Sequence, residues 1–383
     1  MEYSWFPYLH SFFRKGYSYF EMKLLLQENH GVFVSVRHLR RIANSNGLYK
    51  RKKSNIERCS DFIQSILSKT SGSHGYRLVH QQCIKNDYVI SMENVRLILK
   101  VLDSQGVALR RKRQLKRREY ISRGPNYIWH IDGYDKLKPF GIAIHGCIDG
   151  YSRNIIWLKA GITNNDPKVI AGYYIEAIIE LRGCPKSTRS DFGTENKYVE
   201  QMQRFFHRNS MQSDKCHIYG SSTHNQRIES LWAIFRKQCA EFWIQLFKWL
   251  KHDNLFNGSV LDKNLIQFCF MELIQKDIQA FLSDWNHHKI RHNASIAAPS
   301  GRPHILHTFP ELLDAEDCIY KVDEDEVDVC LDECSIINHV CDEDMYDLCN
   351  ILIEEMGWIR NDDPYSTVDL YIALRNCISR ELH

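Results

Sequence analysis

Three acidic residues occupy local sequences that could aim them at one centre. Asp132 lies in Trp-His-Ile-Asp-Gly (129–133), Asp191 in Arg-Ser-Asp-Phe-Gly-Thr-Glu-Asn (189–196) and Glu229 in Asn-Gln-Arg-Ile-Glu-Ser-Leu-Trp (225–232). Carboxylate oxygens are the ligands that a hard ion such as Mg2+ prefers. Two such ions roughly 4 Å apart can activate an oxygen nucleophile and neutralise a leaving oxygen at phosphorus. That chemistry needs the carboxylates on rigid elements, which fix ligands within fractions of an ångström. Three crowded carboxylates repel one another, so at least one should be hard to ionise without metal.

The elements that would position them can be read from the pattern. Tyr127–Gly133, Gly141–Asp149 and Asn154–Lys159 are short apolar runs with tight connections, which predicts a strand meander. Asp166-Pro167 opens a helix, since Asp is a good N-cap and Pro suits the first helical position. Its stripe is Val169, Ile170, Tyr173, Tyr174, Ala177, Ile178 and Leu181, and Gly183 is expected to end it. A fourth strand, Lys186–Ser190, runs into Asp191. A helix over 195–209 follows, then a short strand at 217–220. A long helix from about Thr223 to Leu250 carries Ile228, Leu231, Trp232, Phe235, Phe242, Trp243, Leu246 and Leu250 on one face. Asp277–His292 reads as a further helix with Trp285 buried.

With the three motifs in place, residues 121–300 resemble the catalytic core of the retroviral-type integrase and DDE transposase superfamily. The likeness rests on Trp129 and Asp132, on Ser190-Asp191-x-Gly193-Thr194-Glu195, and on Asn225-x-x-x-Glu229, with 37 residues between Asp191 and Glu229. The resemblance implies a ribonuclease-H-like α/β fold, a mixed five-stranded sheet with flanking helices. It implies metal-dependent phosphodiester cleavage and strand transfer on double-stranded DNA, at element ends and target, with two Mg2+ or Mn2+ ions. In that scheme Asp132 bridges both ions, Asp191 holds one and Glu229 the other. Homo-oligomerisation is implied because two DNA ends must meet. The chain lacks the His-His-Cys-Cys zinc module of retroviral integrases, and its C-terminal segment is acidic where theirs is a basic barrel.

Neighbouring residues carry weaker expectations. Asn225, one helical turn before Glu229, is a candidate to contact DNA or to position a metal-bound water, and Arg227 to bind phosphate; a solvated helix face is the bland alternative for Arg227. Asp149 reads as a strand-end turn residue and Glu195 as a helix-start carboxylate. Asp135 is the fallback for Asp132. His130 and His145 read as strand residues, and the aromatic stripe of the long helix as core.

Before the core the chain reads as two helix-turn-helix units, 1–53 and 54–120. In the first, Ser35 caps a helix with Val36, Leu39, Ile42 and Ala43 inside and Arg37, Arg40 and Arg41 outside. Helix, tight turn and basic helix is the grammar of major-groove recognition, although a small bundle with a solvated basic face has the same pattern. In the second, Ser91 caps a helix with Val95, Leu97 and Ile98 expected inside and Arg96 outside. Ser35, Leu39, Arg40 and Ile42 repeat as Ser91, Val95, Arg96 and Ile98 at an offset of 56. Residues 110–118 hold seven basic residues in nine, including Arg110, Arg111, Lys112 and Arg113. Such a run is a phosphate-binding arm, a nuclear import signal or a solvated linker.

Charge divides the chain. Residues 301–383 hold 21 acidic and 5 basic residues, a balance of −16, so residues 1–300 carry +19 within a net +3. A basic body expects a polyanionic partner. The acidic segment is expected to be a small, mostly helical domain of its own, whether shield, partner site or solubilising tail. No apolar run reaches the ~18 residues of a membrane span. The 13 scattered cysteines suit reduced thiols, and a nuclear location is the expectation. Two other readings remain: a DNA-binding descendant of a transposase that no longer catalyses, and a nuclease of the same fold acting on RNA–DNA hybrids, which would leave the helix-turn-helix units unexplained.

Overall fold

Apolar alternation sets up the sheet on which everything else is mounted. In the computed structural model, which describes residues 3–48, 54–69, 74–104, 107, 122–210, 215–220, 225–291, 299–335 and 339–381, strands β1 (Ile128–Tyr134), β2 (Ala143–Asp149) and β3 (Ile155–Gly161) form the antiparallel meander. Strands β4 (Ser187–Ser190) and β5 (His217–Tyr219) add in parallel on the other side of β1, giving the order β3-β2-β1-β4-β5. The mixed five-stranded sheet is thus present, with β1 at its centre. A parallel pair needs a crossover connection, and helix α7 (Pro167–Leu181) supplies it. Its Asp166 cap accepts from the Lys168 N–H at 2.9 Å. Arg182, not Gly183, takes the left-handed turn that ends it, at φ 55°. Gly183 is required for another reason, because a Cβ there would meet the Tyr320 carbonyl oxygen at 2.7 Å.

The pleat sorts β1 side chains between two cores. Trp129 and Ile131 face α7 and α8 (Lys197–Phe206), packing with Tyr174, Ile178, Val199 and Phe206. Tyr134 faces the opposite layer, with Trp232, Phe235 and Phe281. That layer comprises α9 (Gln226–Phe235), a π-turn (Arg236–Ala240), α10 (Glu241–His252) and α11 (Val260–His287). The long helix expected from 223 therefore starts at Gln226 and contains one widened turn. The helix expected from Asp277 starts at Val260, where Ser259 caps it by accepting from Asp262 N–H. Trp285 is only half-buried, and its Nε1–H donates to the Arg153 carbonyl at 2.7 Å.

The acidic segment is not a separate body. Contacts group residues 119–383 into one unit. Short helix α12 (Pro303–Thr308) lies on α11, α13 (Glu324–Leu331) on α7, and α14 (Glu343–Met356) and α15 (Pro364–Glu381) again on α11. Tyr320 pairs with Cys184 as an isolated β-bridge, and Asp317 accepts from Asn126 Nδ2. Asp262, 1% exposed, receives Arg375 Nε at 2.7 Å. Surface pairs add Arg208–Glu326, Lys168–Glu333 and Lys276–Asp362. Three of the segment's acidic side chains, Glu326, Glu333 and Asp362, thus pair with basic residues of the core.

Residues 1–118 form the other unit, which joins the two expected helical halves. Helices α1 (Phe6–Arg14), α2 (Tyr19–His30) and α3 (Val36–Ser45) are followed by α4 (Ile56–Lys69), α5 (Tyr76–Lys85) and α6 (Met92–Leu102). Ser18 and Glu21 form a capping box at α2, and Gly31 at φ 61° closes that helix. The Ser35 and Ser91 caps accept from His38 and Asn94 N–H groups, each at 3.2 Å. In α6, Val95 and Leu99 are buried but Leu97 is 49% exposed, because it lies two residues, over half a turn, away from Val95 and Leu99. An exposed Arg14–Asp87 ion pair ties α1 to the turn after α5.

Candidate active site: carboxylates at the end of the central strands

Sheet register brings the first two acids together. His130 pairs with Arg189 across parallel strands β1 and β4. The same offset of 59 residues, if carried two positions further, would set Asp132 beside Asp191, which directly follows β4, and Asp191 is near enough to raise the Asp132 carboxyl. Neighbouring strands lie roughly 4.8 Å apart, so the two carboxylates start from adjacent backbones.

Asp132 is held in place. Its Oδ2 accepts from Trp232 Nε1–H at 2.9 Å and its Oδ1 from its neighbour Gly133 N–H at 2.9 Å. The indole reaches across because Gly146 on β2 stands opposite Asp132. A Cβ at Gly146 would come within 2.8 Å of Trp232 Cη2 and 3.0 Å of Leu158 Cδ1. Trp232, read as core from sequence alone, is therefore also the donor that orients the central carboxylate. The signal available was the indole N–H itself, which seldom goes unpaired when buried.

Asp191 Oδ1 accepts from Gly193 N–H at 3.1 Å, closing a tight turn. Glu229 projects from the first turn of α9 and is exposed, while Ile228, Leu231, Trp232 and Phe235 on the same helix are buried. A carboxylate there is favoured by the helix dipole. Its backbone N–H donates to the Asn225 carbonyl at 3.2 Å, and no side chain among the described residues donates to its carboxylate.

Asn225 has a different place from the DNA-contacting one expected of it. It is the N-cap residue of α9 and is 1% exposed. Its Oδ1 accepts from His130 Nδ1–H at 2.6 Å and its Nδ2 donates to the Ile131 carbonyl at 3.0 Å. Both amide atoms are thus engaged inside the fold. They clamp the start of the Glu229 helix onto β1, one residue before Asp132. Arg227 is tied to the sheet as well, its Nε donating to the Gly150 carbonyl at 2.9 Å.

Electrostatics reflect the crowding. Burial pushes the Asp132 carboxyl up to about 7, and Asp191 and Glu229 add to the rise against the opposing hydrogen bonds from Trp232 and Gly133. Glu229 is raised by partial burial and by Asp191. Glu195 is raised by burial and then by Asp191 and Asp135, with Lys138 opposing. His130 and His145 are both pushed down to about 3 by burial, so each is neutral at ordinary pH. Asp149 is a turn residue, accepting from the backbone N–H groups of Asn126, Tyr151 and Ser152. Asp135 is exposed, accepts from Asn164 Nδ2 and pairs with Lys138.

The donor chemistry fits a hard divalent cation: three carboxylates carried on strand, strand end and helix, of which Asp132 and Glu229 are raised by their acidic neighbours. As they stand, no three His, Cys, Asp or Glu side chains among the described residues form a closed ligand set.

The other candidate DNA contacts lie in the N-terminal unit. Arg37, Arg40 and Arg41 are exposed along α3, with Arg40 over the Tyr19 ring and Arg41 bonded to His38 Nδ1. Arg96 is exposed but spans a two-pronged ion pair with Glu93 one turn away. Arg110, Arg111, Lys112 and Arg113 lie outside the described residues. None of the described helices is long and apolar enough to cross a membrane.

Residues 120–300 match the family model of the integrase core domain. No curated protein matches the chain.

Proposed function

We propose, from the match of residues 120–300 to the integrase core domain and from a sheet consistent with the retroviral-type, ribonuclease-H-like superfamily, that the chain is a DNA recombinase of the integrase and transposase kind, cleaving and joining phosphodiesters. The observation that supports this most is the parallel register that stands Asp132 and Asp191 side by side, with Glu229 close enough to raise the Asp132 carboxyl. Asp132, Asp191 and Glu229 would hold Mg2+ or Mn2+. When bound, such ions supply activation of the attacking oxygen and charge relief on the leaving one.

The chain's own residues provide the positioning. Trp232 fixes the rotamer of Asp132, and Gly146 gives the indole its room. Asn225 sets where α9 begins and therefore where Glu229 stands. The Arg37, Arg40 and Arg41 face of α3 would take duplex phosphates or base edges, and the 110–118 run would add salt-sensitive affinity. The protein would act as a homo-oligomer, in the nucleus.

The test is nicking and strand transfer on supercoiled plasmid with Mn2+ or Mg2+. Wild type should convert the plasmid, whereas Asp132→Asn and Asp191→Asn should lose at least 100-fold, roughly the cost of removing a central electrostatic group. Activity unchanged in both variants would remove the assignment. Wild type that binds DNA but never cuts, with binding intact in all three carboxylate variants, would support a catalytically silent DNA-binding protein instead.

A further inference from the structure

The residue directly after Asp191 is Phe192, and it is 75% exposed. A lone exposed aromatic needs no explanation, but this one is not alone. Its ring stacks on Tyr219, with centroids 5.8 Å apart and planes 10° from parallel. Tyr219 is itself 36% exposed and pairs with Ser190 in the sheet, next to the acid-bearing turn. The stack is braced from behind. Tyr219 Oη donates to Glu200, Glu200 is held by Arg204, and the His217 ring packs edge-on against Tyr219 at 4.6 Å. Burial and the Glu200 hydrogen bond push the Tyr219 hydroxyl up to about 12, so it stays protonated and the brace holds.

A flat, rigid apolar face therefore lies one residue from a carboxylate of the candidate site. An unpaired nucleobase has a matching flat face, and stacking on an aromatic ring contributes about 1–3 kcal/mol per base. Consecutive nucleotides lie close together along a strand. A strand whose phosphate sits at Asp132 and Asp191 must pass its neighbouring base near Phe192. We propose that Phe192, braced by Tyr219, is a positioning residue that stacks an unpaired DNA base beside the reacting phosphodiester. This inference rests on the recombinase reading for where the strand runs, and it can fail while that reading stands.

The experiment uses the full chain and a short duplex with a single-stranded overhang carrying 2-aminopurine. Wild type without divalent metal should quench the 2-aminopurine on binding. Phe192→Ala and Phe192→Leu should abolish the quench, while Phe192→Trp restores it. Asp132→Asn should quench like wild type, which separates the platform from the chemistry. In the plasmid assay with Mn2+, Phe192→Ala should act about 10-fold more slowly, within the range that loss of one stacked base gives. Thermal unfolding should be unchanged, since the ring is mostly in water. Phe192→Ala quenching fully, or quenching equal on blunt and overhanging duplexes, would overturn the proposal even if Asp132→Asn is inactive. An inactive wild type that still shows the Phe192-dependent quench would sink the recombinase reading and leave the platform as a DNA contact.

Discussion

Neutralising Asp132 should stabilise the metal-free protein, and the gain should depend on pH. The folded Asp132 carboxyl titrates near 7 because burial, Asp191 and Glu229 all penalise its charge. An unfolded Asp titrates near 3.9. Between those values the folded state binds the extra proton, so stability is full at low pH and is lost as pH rises through about 7. Each pH unit in that window is worth about 1.4 kcal/mol, so passing from pH 5 to pH 8 costs roughly 2.7 kcal/mol. Asp132→Asn removes this term. It also leaves an amide N–H facing either the Trp232 or the Gly133 donor, at a pH-independent cost of about 1–2 kcal/mol. Buried His130, His145 and His217 shift stability with pH in the opposite sense, since their folded values lie at about 3, 3 and 4. Only the difference between variant and wild type isolates Asp132. For a unit of this size about 2–4 °C of Tm accompanies each kcal/mol. Calorimetry in EDTA should therefore show the Tm of Asp132→Asn rising relative to wild type by about 5–10 °C between pH 5 and pH 8. Added Mn2+ at pH 8 should raise the Tm of wild type and leave the variant unmoved, because binding to the native state alone stabilises it. A variant-minus-wild-type difference that is the same at both pH values would refute the account of Asp132 as a carboxylate held against its ionisation.

Other outcomes follow from the same geometry. Asn225→Ala removes the two hydrogen bonds that Asn225 makes to His130 Nδ1 and the Ile131 carbonyl in the core, which should cost about 2–4 kcal/mol in urea unfolding. It should also reduce plasmid nicking, because the start of the Glu229 helix loses its clamp on β1. Arg375→Ala leaves the Asp262 carboxylate buried without its cation, and a loss of about 3 kcal/mol is expected. An unchanged melting curve there would mean that the acidic segment is not integral to the core. Replacing Arg37, Arg40 and Arg41 together by Ala should weaken duplex binding and lower the slope of log K against log salt by up to about 3. A slope equal to that of wild type would exclude that face of α3 from the phosphate contacts.

Much of the site was legible in the linear chain because its parts are local. Strand alternation, the Asp166-Pro167 helix start and the Ser caps depend on residues a few positions apart, and each element formed about where its pattern placed it. Boundaries differ where a capping residue lies outside the apolar stripe, as at Ser259, which caps α11 well upstream of Asp277. Leu97 faces outward despite its apolar side chain, because its angle around α6 sets it opposite Val95 and Leu99.

What depends on distant residues was decided only by the folded chain. Asn225 looks like a polar helix residue free to meet DNA, and burial against His130 and Ile131 turns it into a clamp. Trp232 looks like core, and the space above Gly146 lets its N–H reach Asp132. The acidic segment reads as a free domain until Arg375, Tyr320 and Asp317 are seen tied to Asp262, Cys184 and Asn126. By itself the sequence determined which three carboxylates could matter and the strand, turn or helix that carries each, because motif and periodicity are short-range properties. Which of their neighbours support them, and whether the acidic charge is free or spent on the core, are set by packing between residues up to nearly two hundred positions apart. No local pattern encodes that.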